Sequence, residues 1–212
     1  MALVKYNNNS ISSVTATAAM PSGAMTLIKT VTASSSANVS FVHGTSSVVL
    51  DNTYPIYVIK FIGCHPGHSS RVNFQFNFSI DTGSNYNVSK TTTAFHAYIG
   101  ESDPSAVFAY YNAQDLSAST GYQMLGEVVG NGADECISGH IYLFNPSSTT
   151  YAKHFICQTS YIGLDGGGNA YIKGDRLGGY AITTSAVDAI NFQFASGNID
   201  AGTFKLYGIK DS

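Results

Sequence analysis

From residue 71 to 79 the chain reads Arg71-Val72-Asn73-Phe74-Gln75-Phe76-Asn77-Phe78-Ser79, with an apolar side chain at every second position and polar residues between. Successive side chains of a strand point to opposite faces. The spacing therefore predicts a strand that turns Val72, Phe74, Phe76 and Phe78 inward and a polar row outward. The same period of two recurs in Ala189-Ile190-Asn191-Phe192-Gln193-Phe194 and in Thr203-Phe204-Lys205-Leu206-Tyr207-Gly208-Ile209. Segments rich in Thr, Tyr, Phe, Val and Ile predict further strands over 26–32, 38–42, 54–62, 87–99, 122–129, 139–145, 150–161 and 171–182. Turn-forming clusters separate them: Asp81-Thr82-Gly83-Ser84-Asn85, Asn131-Gly132-Ala133-Asp134, Asn145-Pro146-Ser147-Ser148, Asp165-Gly166-Gly167-Gly168-Asn169 and Ser196-Gly197-Asn198.

No segment carries a helical period over three turns. Thr183-Thr184-Ser185-Ala186-Val187-Asp188 has room for one short helical turn capped by a hydroxyl. Short strands spaced by turns point to an all-β, antiparallel fold, and the expected architecture is a jelly-roll-like β-sandwich. The first thirty residues differ: Asn, Ser, Thr and Ala dominate 5–22 with little periodicity. Such a segment cannot bury enough surface to order itself alone. The expected organisation is an extended N-terminal arm or anchor over 1–30 and a single sandwich domain over 31–212.

Composition narrows the function classes. Of 212 residues only 11% are charged, against about 25% in an average soluble domain. Ten Lys and Arg against thirteen Asp and Glu leave a net charge of −3, which argues against the clustered basic face that nucleic-acid binding requires. A hydrophobic fraction of 44% with 12% aromatics argues against acidic disorder. No stretch approaches the roughly 18 apolar residues of a membrane span, so no membrane insertion is expected. The start, Met1-Ala2-Leu3-Val4-Lys5-Tyr6-Asn7-Asn8-Asn9, has no apolar run suited to a signal peptide. Three cysteines, Cys64, Cys136 and Cys157, are an odd number and predict free buried thiols rather than a disulfide framework.

Candidate chemistry is sparse. Cys64-His65-Pro66-Gly67-His68 has zinc-like spacing, with Cys136 and His140 as further ligands, but it fits no ribbon or finger, and a surface turn after a strand is the expected structure. The loops Asp165 to Asn169 and Asp81 to Asn85 each offer one carboxylate and one amide to a calcium ion. They lack the acids of a calcium loop and read as tight turns. There is no Gly-x-Ser-x-Gly elbow, and nothing with Gly-Lys-Ser/Thr follows Gly166-Gly167-Gly168. Asp134 and Glu135 are adjacent, so a strand would turn them to opposite faces rather than across a cleft. No catalytic, cofactor-binding or metal-binding residue is assigned, and the chain is not expected to be an enzyme. Tyr110, Tyr111, Tyr151, Tyr161, Tyr171 and Tyr180 are candidates for a glycan-binding face, or simply rings packed with their hydroxyls wet.

Three strings carry a resemblance. They are Asp81-Thr82-Gly83-Ser84-Asn85-Tyr86-Asn87-Val88-Ser89-Lys90-Thr91-Thr92-Thr93, Leu143-Phe144-Asn145-Pro146-Ser147-Ser148-Thr149-Thr150-Tyr151-Ala152-Lys153-His154-Phe155, and Thr183 to Ile190 running into Ser196-Gly197-Asn198-Ile199-Asp200-Ala201-Gly202-Thr203-Phe204-Lys205-Leu206-Tyr207-Gly208-Ile209. Over residues 25 to 210 the chain resembles β-sandwich virion structural proteins, tail-fibre-like, of aquatic tailed bacteriophages. Cys64 to His68 and the stretch from Lys173 to Arg176 are not hallmarks of that group. The resemblance implies a virion protein made in the host cytoplasm, a tail fibre or tail appendage subunit contributing to host attachment. It also implies a homotrimer that docks on other virion proteins through its N-terminal arm and meets a host-surface glycan with its loops. The alternatives are a capsid decoration or cement protein and a carbohydrate-binding, lectin-like module.

Overall fold

The computed structural model describes residues 25–102, 106–164 and 169–210. The described residues fold into twelve strands: β1 (Met25–Ser36), β2 (Val39–Val42), β3 (Ile56–Gly67), β4 (Val72–Ser79), β5 (Lys90–Gly100), β6 (Val107–Tyr110), β7 (Gln123–Val129), β8 (Ile137–Phe144), β9 (Lys153–Leu164), β10 (Ala170–Ala181), β11 (Ala189–Phe194) and β12 (Asn198–Ile209). All pairings are antiparallel. No α-helix occurs among the described residues; the one helical element is a single 3-10 turn, Asn112–Gln114. The all-β, antiparallel expectation therefore holds.

The main path runs β1-β12-β3-β8-β9-β7-β4-β11-β2, and β10 extends it sideways from β9 to β5 and β6. The β7–β9 link is a single residue pair, Val129 with Gly163. By contrast β9 and β10 pair over their whole length, from Ala170↔Leu164 to Ala181↔Lys153. The network curls into a nearly closed, barrel-like shape, with its apolar interior where the phenylalanines of β4 and β11 face those of β3, β9 and β12.

Period-two patterning explains that interior. Phe74, Phe76 and Phe78 of β4 and Phe192 and Phe194 of β11 all turn inward and are at most 3% exposed. Phe74 lies 5.3 Å from Phe61, 5.1 Å from Phe194 and 6.3 Å from Phe204, centroid to centroid. Phe155 of β9 meets Phe76 and Phe78 edge-on, both at 5.4 Å. These are favoured aromatic geometries that add to simple area burial. Where β8 and β9 run closest, Gly139 leaves no room for a side chain: a Cβ there would sit 2.4 Å from the Gln158 carbonyl oxygen.

Several expectations are corrected. The Cys64 to His68 stretch is not a turn; β3 continues through it to Gly67, bending at a bulge where Gly63 has φ 58°. Thr183 to Asp188 forms bends, with no helical turn. A boundary at residue 30 falls inside β1, whose Met25 to Ser36 pair with β12; residues 1–24 lie outside the described residues. The row expected to face outward on β4 is only half exposed: Asn77 and Ser79 are fully buried, covered by the chain that follows. Asn77 Nδ2 donates to the carbonyls of Tyr86 and Thr120. β6, which the sequence pattern did not predict, pairs with β5 over four residues.

Candidate functional site

The structure sets Cys64 opposite Ile137, next to Cys136, but among the described residues it gathers no full ligand set from those singled out for metal chemistry. Cys64 packs inside the core with no exposure, while His65 Nδ1 lies 2.7 Å from the Glu135 carbonyl and His68 binds the backbone of Ser70. His140 sits on β8, its ring 5.3 Å from that of Tyr142. Among the described residues no three His, Cys, Asp or Glu side chains converge on a point suited to a metal ion. Asp165 to Gly168 lie outside the described residues.

Asp81 staples its own turn. Its carboxylate accepts from Ser79 Oγ at 2.6 Å, Asn85 N at 2.9 Å and Asn85 Nδ2 at 2.7 Å. The Ser79 hydroxyl, followed by the Asn85 groups, holds the carboxyl down at about 2. Thr82 and Gly83, both at positive φ, complete the turn. Glu135 also folds back on its own loop, where its carboxylate accepts from Gly132 N.

The cysteines are thiols placed for packing. Burial pushes Cys64 and Cys157 well above the ordinary thiol range, and Cys136 is half-buried. Only a thiolate is nucleophilic. Iodoacetamide at neutral pH should therefore label Cys136 first and leave Cys64 and Cys157 unmodified until the protein unfolds. Peptide mass spectrometry of the folded and denatured protein reads the order directly.

Three of the six candidate tyrosines do come together. Tyr111, Tyr161 and Tyr171 surround an internal polar cluster built on the inward row of β10, where Lys173 and Asp175 stand two residues apart. Opposite them in register lie Tyr98 and His96 of β5 and Tyr161 and Thr159 of β9. Lys173 Nζ is 3.2 Å from Glu127 Oε2 of β7 and 3.9 Å above the Tyr111 ring. Asp175 Oδ2 accepts from Gln114 Nε2 at 2.6 Å and from the Tyr161 hydroxyl at 3.1 Å. Burial raises the Asp175 carboxyl, opposed by the Lys173 ammonium and those two donors. Burial and the Lys173 charge lower His96, and burial raises Tyr171 to about 12. The engaged atoms tie β5, β7, β9 and β10 to the turn at Asn112–Gln114, while His96 Nδ1, Gln114 Oε1 and Asp175 Oδ1 are buried with no hydrogen-bond partner among the described residues.

Residues His96, Tyr98, Gln114 and Glu127 were not among the sequence candidates. A signal existed for two of them: along β5 the inward row is Lys90, Thr92, Ala94, His96 and Tyr98, while Phe95 and Ile99 face solvent. The strand is amphipathic in the inverted sense, and period two alone cannot say which face is inside.

Two other buried cations hold loops. Lys90 Nζ donates to Asn77 Oδ1 at 2.5 Å, Val88 O at 2.8 Å and Gly121 O at 2.9 Å. Lys153 Nζ donates to Tyr151 O at 2.9 Å and Thr183 O at 3.2 Å.

The remaining tyrosines reach solvent. Tyr110, hydrogen-bonded to Asp115, and Tyr180, beside His154, lie on the outer sheet face. Tyr151 is 74% exposed in the β8–β9 loop. Beside it is a cleft of about 540 Å³, lined by that loop together with Asn52 and Pro55.

The outer face of the long sheet carries a set of exposed apolar side chains, crossed by a polar row of Lys205, Lys60, His140, Gln158 and Arg176. Register places Leu27, Ile62, Phe95, Ile99, Ile156, Ile172 and Tyr180 on the same side of β1, β3, β5, β9 and β10, and all are at least 37% exposed. Phe108 of β6, 75% exposed, continues the surface and packs 5.5 Å from Phe95.

Comparison with known proteins finds no matching family model, no matching curated protein and no matching solved structure.

Proposed function

We propose that this protein is a bacteriophage virion structural protein, a tail fibre or tail appendage subunit that contributes to host attachment and assembles as a homotrimer. The reading begins from the resemblance carried by residues 81–93, 143–155 and 183–209. The single observation that supports it is the outer face that runs from Leu27 to Phe108. Scattered apolar side chains on a surface are ordinary, but a set gathered on one sheet face marks an interaction surface. A second and third copy of the chain are the proposed occupants, arranged in a closed ring about a threefold axis. The segment ahead of Met25 is proposed to dock on other virion proteins, and the finished particle is the protein's proposed location.

We propose also that the fold is a jelly roll carrying two insertions. Without β5, β6, β9 and β10, eight strands remain. Numbered afresh in chain order, they pair as 1-8-3-6 and 2-7-4-5, the order expected of two packed sheets wound from two Greek keys. The insertions lengthen the sheet whose outer face carries the exposed apolar side chains.

The test is the solution mass of the full-length chain by analytical ultracentrifugation, repeated with Ile156→Glu. The expected result is a trimer that the substitution dissociates, because Ile156 is 55% exposed on the face and contributes nothing to the core. A monomeric wild-type chain overturns the trimeric appendage and favours a capsid decoration protein, ordered by its neighbours. Deletion of residues 1–24, which spares β1, should leave the trimer intact.

A further inference from the structure

We infer that the cleft beside Tyr151 is a binding site for a neutral saccharide, and that this is the surface by which the protein engages a host glycan. The inference rests on the attachment role proposed above and gives it a location.

The cleft is bounded by the β8–β9 loop and by Asn52 and Pro55 ahead of β3, and its lining contains no charged residue. At about 540 Å³ it falls within the roughly 300–1,000 Å³ of small-ligand sites. Its walls offer the side-chain amides of Asn52 and Asn145 and the hydroxyls of Ser147 and Thr149. None of these four side chains takes part in a hydrogen bond with another described residue. An amide presents donors and acceptors together, and a hydroxyl presents both at one atom. That is the complement of a sugar ring, whose hydroxyls also do both, and it offers nothing specific to an anion or a cation. Tyr151 supplies the other half of sugar recognition, a flat ring on which the C–H face of a pyranose packs while the phenol stays wet.

The loop is held in place before any ligand arrives. Asn145 sits at φ 44° and its N–H donates to the Pro55 carbonyl at 2.8 Å. Ser148 N donates to Asn145 O at 3.1 Å, and Ser148 Oγ accepts from the N–H groups of Thr150 and Tyr151 at 3.2 and 3.1 Å. From beneath, the buried Lys153 ammonium fixes the Tyr151 carbonyl, and Val187 N donates to Pro146 O at 2.8 Å. A loop of Ser and Thr this heavily anchored costs little entropy to present a ligand with a fixed surface.

The test is saturation-transfer NMR on the full-length chain with glucose, galactose and N-acetylglucosamine at millimolar concentration, and with galacturonic acid as an anionic control. At least one neutral sugar is expected to receive saturation, and the anionic control to receive less. Tyr151→Ala is expected to weaken binding by about tenfold or more, whereas Tyr151→Phe retains it; with the ring mostly in solvent, neither change should disturb folding. No transfer to any of the three neutral sugars, or equal binding by Tyr151→Ala, overturns the inference. The solution mass of the same sample separates it from the assembly reading. A trimer that binds no sugar removes the cleft and leaves the appendage, while a sugar-binding monomer keeps the cleft and removes the trimer.

Discussion

Phe74→Ala is expected to lower the free energy of unfolding by about 3–5 kcal/mol, the range for truncating a fully buried aromatic ring. The Phe74 ring has no exposure and is surrounded by Phe61, Phe192, Phe194 and Phe204. Those rings come from β3, β11 and β12, so they cannot collapse into the vacated volume without shifting strands on both sides of the barrel. Phe74→Leu, which keeps most of the apolar volume, should cost clearly less. Urea denaturation with a shared slope reads both values. A loss below about 1 kcal/mol for the alanine variant, typical of a surface position, would mean that the site is not the packing centre described.

The second large effect concerns Lys90. Its ammonium is buried with no counter-ion among the described residues and is held by three oxygens that belong to three different segments. Lys90→Ala removes this donor from the Val88 and Gly121 carbonyls, leaves Asn77 Oδ1 with Phe78 N alone, and opens a cavity. With each orphaned buried group costing about 1–3 kcal/mol, a total loss of about 3 kcal/mol or more is expected. Lys90→Met restores the volume but not the donors and should fall between. A pH signature accompanies the substitution. Burial lowers the folded-state value to about 8, against about 10.4 for an unfolded lysine. Between those values the unfolded chain binds more protons, so this group's contribution to stability grows as pH rises from about 8 to about 10.4 and is absent below about 8. Buried tyrosines such as Tyr57, raised to about 12, oppose it only above about 10, where an unfolded tyrosine ionises. The difference between wild type and Lys90→Met therefore isolates the lysine. If that difference is flat from pH 7 to pH 10, the cation is not desolvated as the structure implies.

These two residues also mark how far the sequence could be read. Phe74 belongs to a nine-residue alternation whose inward row is visible on inspection; three such rows and the β-rich composition of eight further segments located eleven of the twelve described strands. Lys90 opens β5, where the rule ran the other way: the inward row holds Lys, Thr, His and Tyr, and the outward row Thr, Phe, Ala and Ile. Local periodicity reports that a strand has two faces. Which one is buried depends on partners tens of residues away, such as the carbonyl of Gly121 that accepts from Lys90 or the Glu127 that meets Lys173. The same limit hid β6, four residues long and half exposed, and buried Asn77 on a row that looked solvent-facing. The tyrosines were legible as a group but not as separate places, because their assignment to cluster, cleft or outer face follows from register alone.

β12 joins two parts of the sheet that are far from it in the chain. β12 is inserted between β1 and β3, pairing with the first along Met25↔Ile209 and with the third along Ile56↔Ile209. Without it, two long strands each have an unsatisfied edge, which is a template for pairing with other chains. The apolar outer face also lacks the strand that joins its β1 and β3 portions. A chain that stops before Asn198 therefore has no continuous surface to offer a second copy. Placement of β12 is therefore what makes the β1 and β3 portions one sheet, and a chain cut before Asn198 is expected to expose both edges.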